Sequence, residues 1–347
     1  MTTRALPVLS PIISQILSDL GYHPPFEVAV AGSAGSGRVY WRIGQAPRSH
    51  ILLVSHSQDA DYDRFLAVSR HLRSCGLEVP DIFGSDDAVR QVVLEDLGST
   101  LLLQKAHEAG FPGPGDADAL ERAYLPALAA LARWQEVGTR DMSHCPDLVN
   151  RVFDLGPLLW ESSYFSRRCA EESYGLPPER LAEPTLLAEL HHLAVRVEHH
   201  DRRLMHRDFQ SQNLMCRPDK VWFIDYQGAR PGSRWYDLAS LLWDPYVAMP
   251  LSLRQKLFKR YLDLSPAPSS DEAWEQLLDA ALQRVMQALG AYGFLSRRKG
   301  LPWFAKFLAP GLGVLEETLR ERGGHLALAD LVRELCSKAP LPFDELG

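Results

Sequence analysis

The spacing of apolar residues changes along the chain, and the changes mark its elements. Ile12, Ile13, Ile16, Leu17 and Leu20 recur at helical intervals. Ser10 as N-cap, Pro11 in the first turn and Gly21 as a stop complete a predicted first helix. Short apolar runs at 26–31, 38–43 and 51–54 predict three strands, the first two joined by Gly32-Ser33-Ala34-Gly35-Ser36-Gly37. Residues 61–75 return to helical spacing through Phe65, Leu66, Val68 and Leu72 and close at Gly76. The runs at 82–83 and 89–94, on either side of Asp86-Asp87, read as a hairpin. Short strands with one helix among them make a small α+β unit.

After Glu95-Asp96-Leu97-Gly98 the pattern becomes helical. Predicted helices cover 116–137 (with a kink at Pro126), 148–174, 181–200, 234–246, 252–262, 271–295, 303–321 and 326–338. The one Pro/Ser-rich linker, 265–270, is short, and no internal repeat is visible. The expected architecture is α+β and bilobal. A small antiparallel-sheet lobe spans 1–97, a hinge lies near residue 97, and a large, mostly helical lobe spans 98–347.

Composition narrows the class. The chain has 347 residues, 46% apolar and 23% charged, as in ordinary globular proteins. A formal net charge of -7 disfavours nonspecific attraction to nucleic acid or anionic lipid. No apolar run reaches the ~20 residues of a membrane span. The first apolar stretch is interrupted by Ser14-Gln15, Ser18 and Asp19, unlike a signal peptide. Five scattered cysteines without a CxxC pair suit a reducing compartment and predict a cytoplasmic protein with no disulfide framework or zinc site.

The candidate chemistry sits in His206-Arg207-Asp208-Phe209-Gln210-Ser211-Gln212-Asn213. A carboxylate and, five positions on, a carboxamide occupy one short loop. Asp225 follows at the end of the apolar run Val221-Trp222-Phe223-Ile224. Phosphoryl transfer needs one group to orient a hydroxyl and two to hold magnesium, and this spacing lets Asp208 face an acceptor while Asn213 and Asp225 face a metal. The bland reading, a polar loop after a helix, does not account for the second carboxylate at a strand end. His206 can fix the loop by hydrogen bonding to its backbone. Asp237, at the start of an apolar helix, reads as a cap or as a brace for the loop rather than a substrate contact. The glycines at 32, 35 and 37 allow backbone N–H groups to approach phosphates, or simply make a flexible hairpin turn. They form neither GxxxxGK[ST] nor GxGxxG. The pairs His191-His192 and His199-His200 read as a solvated helix face rather than a metal cluster.

HRDxxxxN followed by IDxxxxxxxGxxxYDLAS resembles the aminoglycoside phosphotransferase/choline kinase superfamily, distant relatives of protein kinases. Arg38-Val39-Tyr40-Trp41-Arg42, Glu95-Asp96-Leu97-Gly98 and the loop through Met215 are more similar to the branch of bacterial anomeric sugar kinases acting on N-acetylmuramate and N-acetylglucosamine. The resemblance implies a protein-kinase-like fold that uses ATP and Mg on a small-molecule substrate. It implies Asp208 as catalytic base, Asn213 and Asp225 as magnesium ligands, and Glu95, Asp96 and Leu97 as the adenine-contacting hinge, with Gly35 and Gly37 near the phosphates.

One departure from the superfamily stands out. Such enzymes hold the α- and β-phosphates with a lysine on the third strand, yet residues 1–98 contain no lysine. Arg38 and Arg42 alternate with Tyr40 on one strand face and are the expected substitutes, since an arginine fork binds phosphate well. A nucleotide-binding pseudokinase is the alternative of another class. An aminoglycoside or choline/amino-alcohol kinase is the rival enzyme, and it would need an acid-rich pocket. An N-acetylated sugar needs neutral hydrogen bonding, with Arg297 or Arg298 as candidate contacts. Tyr226-Gln227-Gly228 after Asp225, and the absence of an APE-like segment, disfavour a protein substrate.

Overall fold

The computed structural model describes residues 6–33, 37–218, 220–266 and 271–341. Ser10 starts the fold as expected: its Oγ accepts the Ile13 N–H at 3.2 Å and caps α1 (Pro11–Asp19), which ends at Gly21 with φ +84°. Five strands follow, β1 (Glu27–Ser33), β2 (Val39–Gln45), β3 (Arg48–Val54), β4 (Ile82–Asp86) and β5 (Gln91–Glu95), with α2 (Tyr62–Ser74) between β3 and β4. They form one antiparallel sheet in the order β1-β2-β3-β5-β4. Alternation divides its residues between two cores. Trp41, Ile43, Leu52 and Val93 pack with Ile13 and Leu17 of α1, while Leu53, Val92 and Leu94 join the main core with α2.

The rest is mostly helical: α3 (Leu102–Glu108), α4 (Ala117–Asp141), α5 (Pro146–Val149), α6 (Leu155–Tyr164), a π-helical segment (Phe165–Glu171), α7 (Pro178–Leu181) and α8 (Pro184–Glu198). Four short strands interrupt it, β6 (Arg202–Met205), β7 (Leu214–Arg217), β8 (Lys220–Phe223) and β9 (Arg230–Ser233). They pair as β6 with β9 and β7 with β8. Then come α9 (Arg234–Leu242), α10 (Leu251–Leu264), α11 (Asp271–Arg297), α12 (Leu308–Arg322) and α13 (Leu326–Cys336). Every residue of α9 is buried, so this helix is the centre on which the others pack.

The continuous helix expected over 148–174 is broken. The Phe153 N–H donates to the Pro231 carbonyl at 2.8 Å, which ties 150–154 to β9, and Asp154 caps α6 through the Gly156 N–H at 3.3 Å. The helix expected from 181 begins at Pro184, because proline at the first turn sets the boundary there. The helix expected from 303 begins as a 3-10 turn over Pro302–Phe307 before α12.

Candidate active site

The loop from His206 to Asn213 lies between β6 and β7, and buried acids hold it at both ends. Asp237, one turn into α9, accepts the His206 N–H at 2.6 Å and the Arg207 N–H at 2.9 Å. Among the described residues its carboxylate hydrogen-bonds backbone only. Burial pushes its carboxyl up to about 7, against the two N–H donors and Arg284. At the other end Asp244 accepts the Ser211 N–H at 2.9 Å and the Ser211 hydroxyl, while its other oxygen takes the Tyr246 N–H at 2.9 Å. The sequence reading missed Asp244. Its signal was an acid just past the end of α9, where a helix dipole disfavours negative charge and another partner must compensate.

His206 is fully buried among Trp134, Phe209 and Phe223. Burial pushes its ring below the usual histidine range despite Asp208 and Asp225, so the ring is neutral and its Nε2–H donates to the Ile224 carbonyl at 3.0 Å. That bond joins the loop to the segment carrying Asp225. Two more complete the tie: the Asn213 Nδ2–H donates to the Asp208 carbonyl at 2.8 Å, and the Ile224 N–H to the Asn213 carbonyl at 3.0 Å. The backbone at Asp208, Asn213 and Ile224, next to Asp225, is therefore tied together. Asp225 has φ +63°, a left-handed conformation uncommon for a non-glycine residue, and Gln227 Nε2 donates to its Oδ1 at 2.6 Å. Asp208 is partly exposed, and Arg284 Nη2 of α11 comes within 3.8 Å of its Oδ1. Arg284 was also missed. A single cation inside a long, largely apolar helix was the available signal.

The arginines divide by role. Arg38 is almost fully buried, pairs with Asp59 through two bonds at 2.6 and 3.3 Å, and lies 5.3 Å from the Phe65 ring centre. Its Nη1 is buried with no hydrogen-bond partner among the described residues. Arg42 forms a fork on Asp96 at 2.6 and 3.0 Å and donates to the Gly98 carbonyl at 2.7 Å, so its guanidinium braces the 96–98 segment. Arg217 adds bonds to Glu95 Oε1 at 2.7 Å and the Asp96 carbonyl at 2.8 Å. Leu97 is buried, and its backbone N–H has no partner among the described residues. Gly37 has φ +84° at the start of β2, beside His56, and Gly35 lies outside the described residues. Arg298 pairs with Glu172, and Arg297 donates to the Leu341 and Ser173 carbonyls, so neither is brought to Asp208. His199 Nδ1 is bonded to the Val195 carbonyl and buried His200 to Ser233 Oγ; among the described residues no group of three or more His, Cys, Asp or Glu side chains is placed to hold a metal.

Helix α2 fastens the sheet to the Asp225 segment. Arg64 donates to the Gln227 carbonyl at 2.6 Å and to the Ala229 carbonyl. Ser69 Oγ lies 2.8 Å from the Tyr226 hydroxyl, and Phe65 stacks on the Tyr226 ring at 5.9 Å. A buried set lies below Asp208: Tyr236 donates to Glu161 at 2.9 Å, and Gln283 Nε2 donates to it at 3.3 Å. Burial pushes the Glu161 carboxyl up to about 7, opposed by Arg207, Tyr236 and Arg284.

The N-acetylmuramate/N-acetylglucosamine kinase of Pseudomonas aeruginosa is 27% identical over 323 residues, covering 91% of this chain and 90% of that protein. The kinase of the same name from Pseudomonas putida is 22% identical with the same coverage. Among solved structures, a choline/ethanolamine kinase family protein from Mesorhizobium loti superposes with a TM-score of 0.60 at 14% identity, over 94% of this chain and 96% of that one. The gentamicin complex of APH(2")-IIa gives 0.57 at 17% identity, over 89% and 97%. These superpositions show the protein-kinase-like fold. The sequence profile described as the phosphotransferase enzyme family matches residues 27–278, most of the sheet and helical regions, and the chain belongs to that family.

Proposed function

We propose that the protein uses ATP and magnesium to phosphorylate a hydroxyl of an amino sugar, the anomeric hydroxyl of N-acetylmuramate or N-acetylglucosamine, in the cytoplasm. The observation that supports the phosphotransfer chemistry is the set of hydrogen bonds that ties the segments carrying Asp208, Asn213 and Asp225 together. The choice of sugar rests on kinship over about nine-tenths of both chains with two proteins of that name. The donor set fits magnesium: the amide oxygen of Asn213 and the carboxylate of Asp225 are hard ligands and would hold the ion. When bound, the ion would neutralise charge on the transferring phosphates.

The hinge at 97–98 divides a nucleotide lobe from an acceptor lobe. The free Leu97 N–H is a donor for the adenine edge. Arg38, with its unsatisfied Nη1, takes the phosphate role of the missing lysine, and Asp59 orients it. Arg42 shapes the hinge through Asp96 instead. Asp208 accepts the acceptor hydroxyl's proton as its oxygen bonds to the γ-phosphorus and the β–γ bridging bond breaks. Asp237, Asp244 and His206 hold that carboxylate in place, so catalysis is mainly positioning and charge stabilisation. An aminoglycoside or choline would meet arginines around Asp208, where a cationic substrate needs acids. The deciding experiment is a panel of amino sugars, aminoglycosides and amino alcohols with MgATP, read by ADP release and phosphorus NMR. ADP release with choline or an aminoglycoside, and with no amino sugar, would overturn the assignment.

A further inference from the structure

The acceptor side of the site carries more positive charge than the chemistry requires. Arg207 and Arg230 both border Gly228. The Arg230 Nε–H donates to the Gly228 carbonyl at 2.8 Å, and a side chain added at Gly228 would sit 3.6 Å from Arg207 Cδ. Strand register places Arg230 opposite Met205, immediately before the catalytic loop. Arg64 joins the same turn, and among the described residues its hydrogen bonds go to backbone carbonyls, with no ion pair.

Three buried arginines of this net-negative chain have acids: Arg38 has Asp59, Arg234 has Asp201 and Arg254 has Glu317, whereas Arg207 and Arg230 are only half-buried. Among the described residues neither Arg207 nor Arg230 forms an ion pair, and the Arg207 side chain makes no hydrogen bond. Burial and the charges of Arg207, Arg64 and Arg151 push the Arg230 guanidinium down to about 10, a repulsion that a bound anion would relieve. Arg207 also has φ +82°. Glycine adopts that conformation at no steric penalty, whereas another residue costs about 1–2 kcal/mol there. An arginine kept in such a position implies a use for its side chain.

We propose that Arg207 and Arg230 form an oxyanion subsite that takes the carboxylate of an acidic acceptor, so that the enzyme prefers a sugar bearing a carboxylate, such as N-acetylmuramate, to uncharged N-acetylglucosamine. The proposal rests on the amino-sugar reading above. The other source of an oxyanion is the γ-phosphate. The placement favours the acceptor, because Arg207 feels Asp208 and Glu161 of α6, which favour its charged form, and Arg284 of α11, all in the helical region, while Arg38 lies on the nucleotide sheet. A guanidinium–carboxylate pair also supplies directional, charge-assisted bonds.

The test measures kcat/KM and binding for the matched sugars in wild type, R230A and R207G, with thermal melts to verify folding. R207G removes the guanidinium while suiting the backbone. Wild type is expected to favour N-acetylmuramate at least about tenfold, and each variant to reduce that ratio about tenfold. A ratio near one in wild type, or one that the variants leave alone, would overturn the subsite, as would a selective rise in KM for ATP. If wild type binds neither sugar and releases no ADP with either, the amino-sugar reading fails instead. The subsite is then judged by millimolar sulfate: protection of wild type but not R230A against thermal unfolding sustains it, and equal or no protection overturns it.

Discussion

Asp208 and Arg38 show how differently two single residues can be read. Asp208 has a recognisable sequence context, and its neighbours form a local circuit of backbone bonds. Replacing it with asparagine keeps the shape and removes the proton acceptor. D208N is expected to lower kcat by at least about a thousandfold while nucleotide affinity by titration stays within a few-fold. Arg38 was singled out because no lysine precedes residue 99, but Asp59, the residue that aims it, was invisible in sequence. R38A is expected to raise KM for ATP and reduce kcat/KM by at least about tenfold, and R38K to recover part of the loss, since lysine keeps the charge but not the fork. Wild-type kinetics in R38A would assign the phosphate role elsewhere.

At the scale of elements, α11 holds Arg284 next to Asp208. Its position depends on close backbone contact with the π-helical segment. A Cβ at Gly293 would lie 2.2 Å from the Arg168 carbonyl oxygen, and one at Gly290 would meet the backbone of Tyr164 and Phe165. Backbone cannot give way as a side chain tip can. G293A is therefore expected to destabilise the fold by about 2 kcal/mol or more in urea melts. G313A on α12 is the contrast: nothing lies within 4 Å of that position, and the substitution is expected to add about 0.5–1 kcal/mol. Both glycines sit inside helical patterns in the sequence, which predicted helices there and gave no sign that one is a contact point. Likewise the four short strands were too brief for their alternation to register, apart from the run before Asp225.

For the whole molecule, burying acids beneath the site has a pH signature. Glu161 ordinarily titrates near 4.5, and in the fold its carboxyl is pushed up to about 7 by burial. Between those values the native state holds a proton that the unfolded chain has released, so stability falls as pH rises through the window, by at most about 3 kcal/mol from this group. E161Q cannot ionise. Wild type is expected to lose stability relative to E161Q between pH 5 and pH 8 in denaturant titrations, and a constant gap would show that Glu161 titrates alike in both states. The order of elements was legible in the chain because helix and strand impose different local periods on apolar residues. The candidate catalytic loop was legible because the roles proposed for it lie within eight consecutive residues, with Asp225 close behind. The partners were not. Arg38 meets Asp59 across 21 residues, Arg42 meets Asp96 across 54, and Arg64 meets Gln227 across 163. Sequence by itself determined which residues carry charge and where local structure begins and ends. Only the tertiary structure decided which charges are neutralised, because that depends on distances of a few ångströms between segments far apart in the chain. It thereby locked Arg38 on Asp59, turned Arg42 to Asp96, and left Arg207 and Arg230 without an ion pair among the described residues.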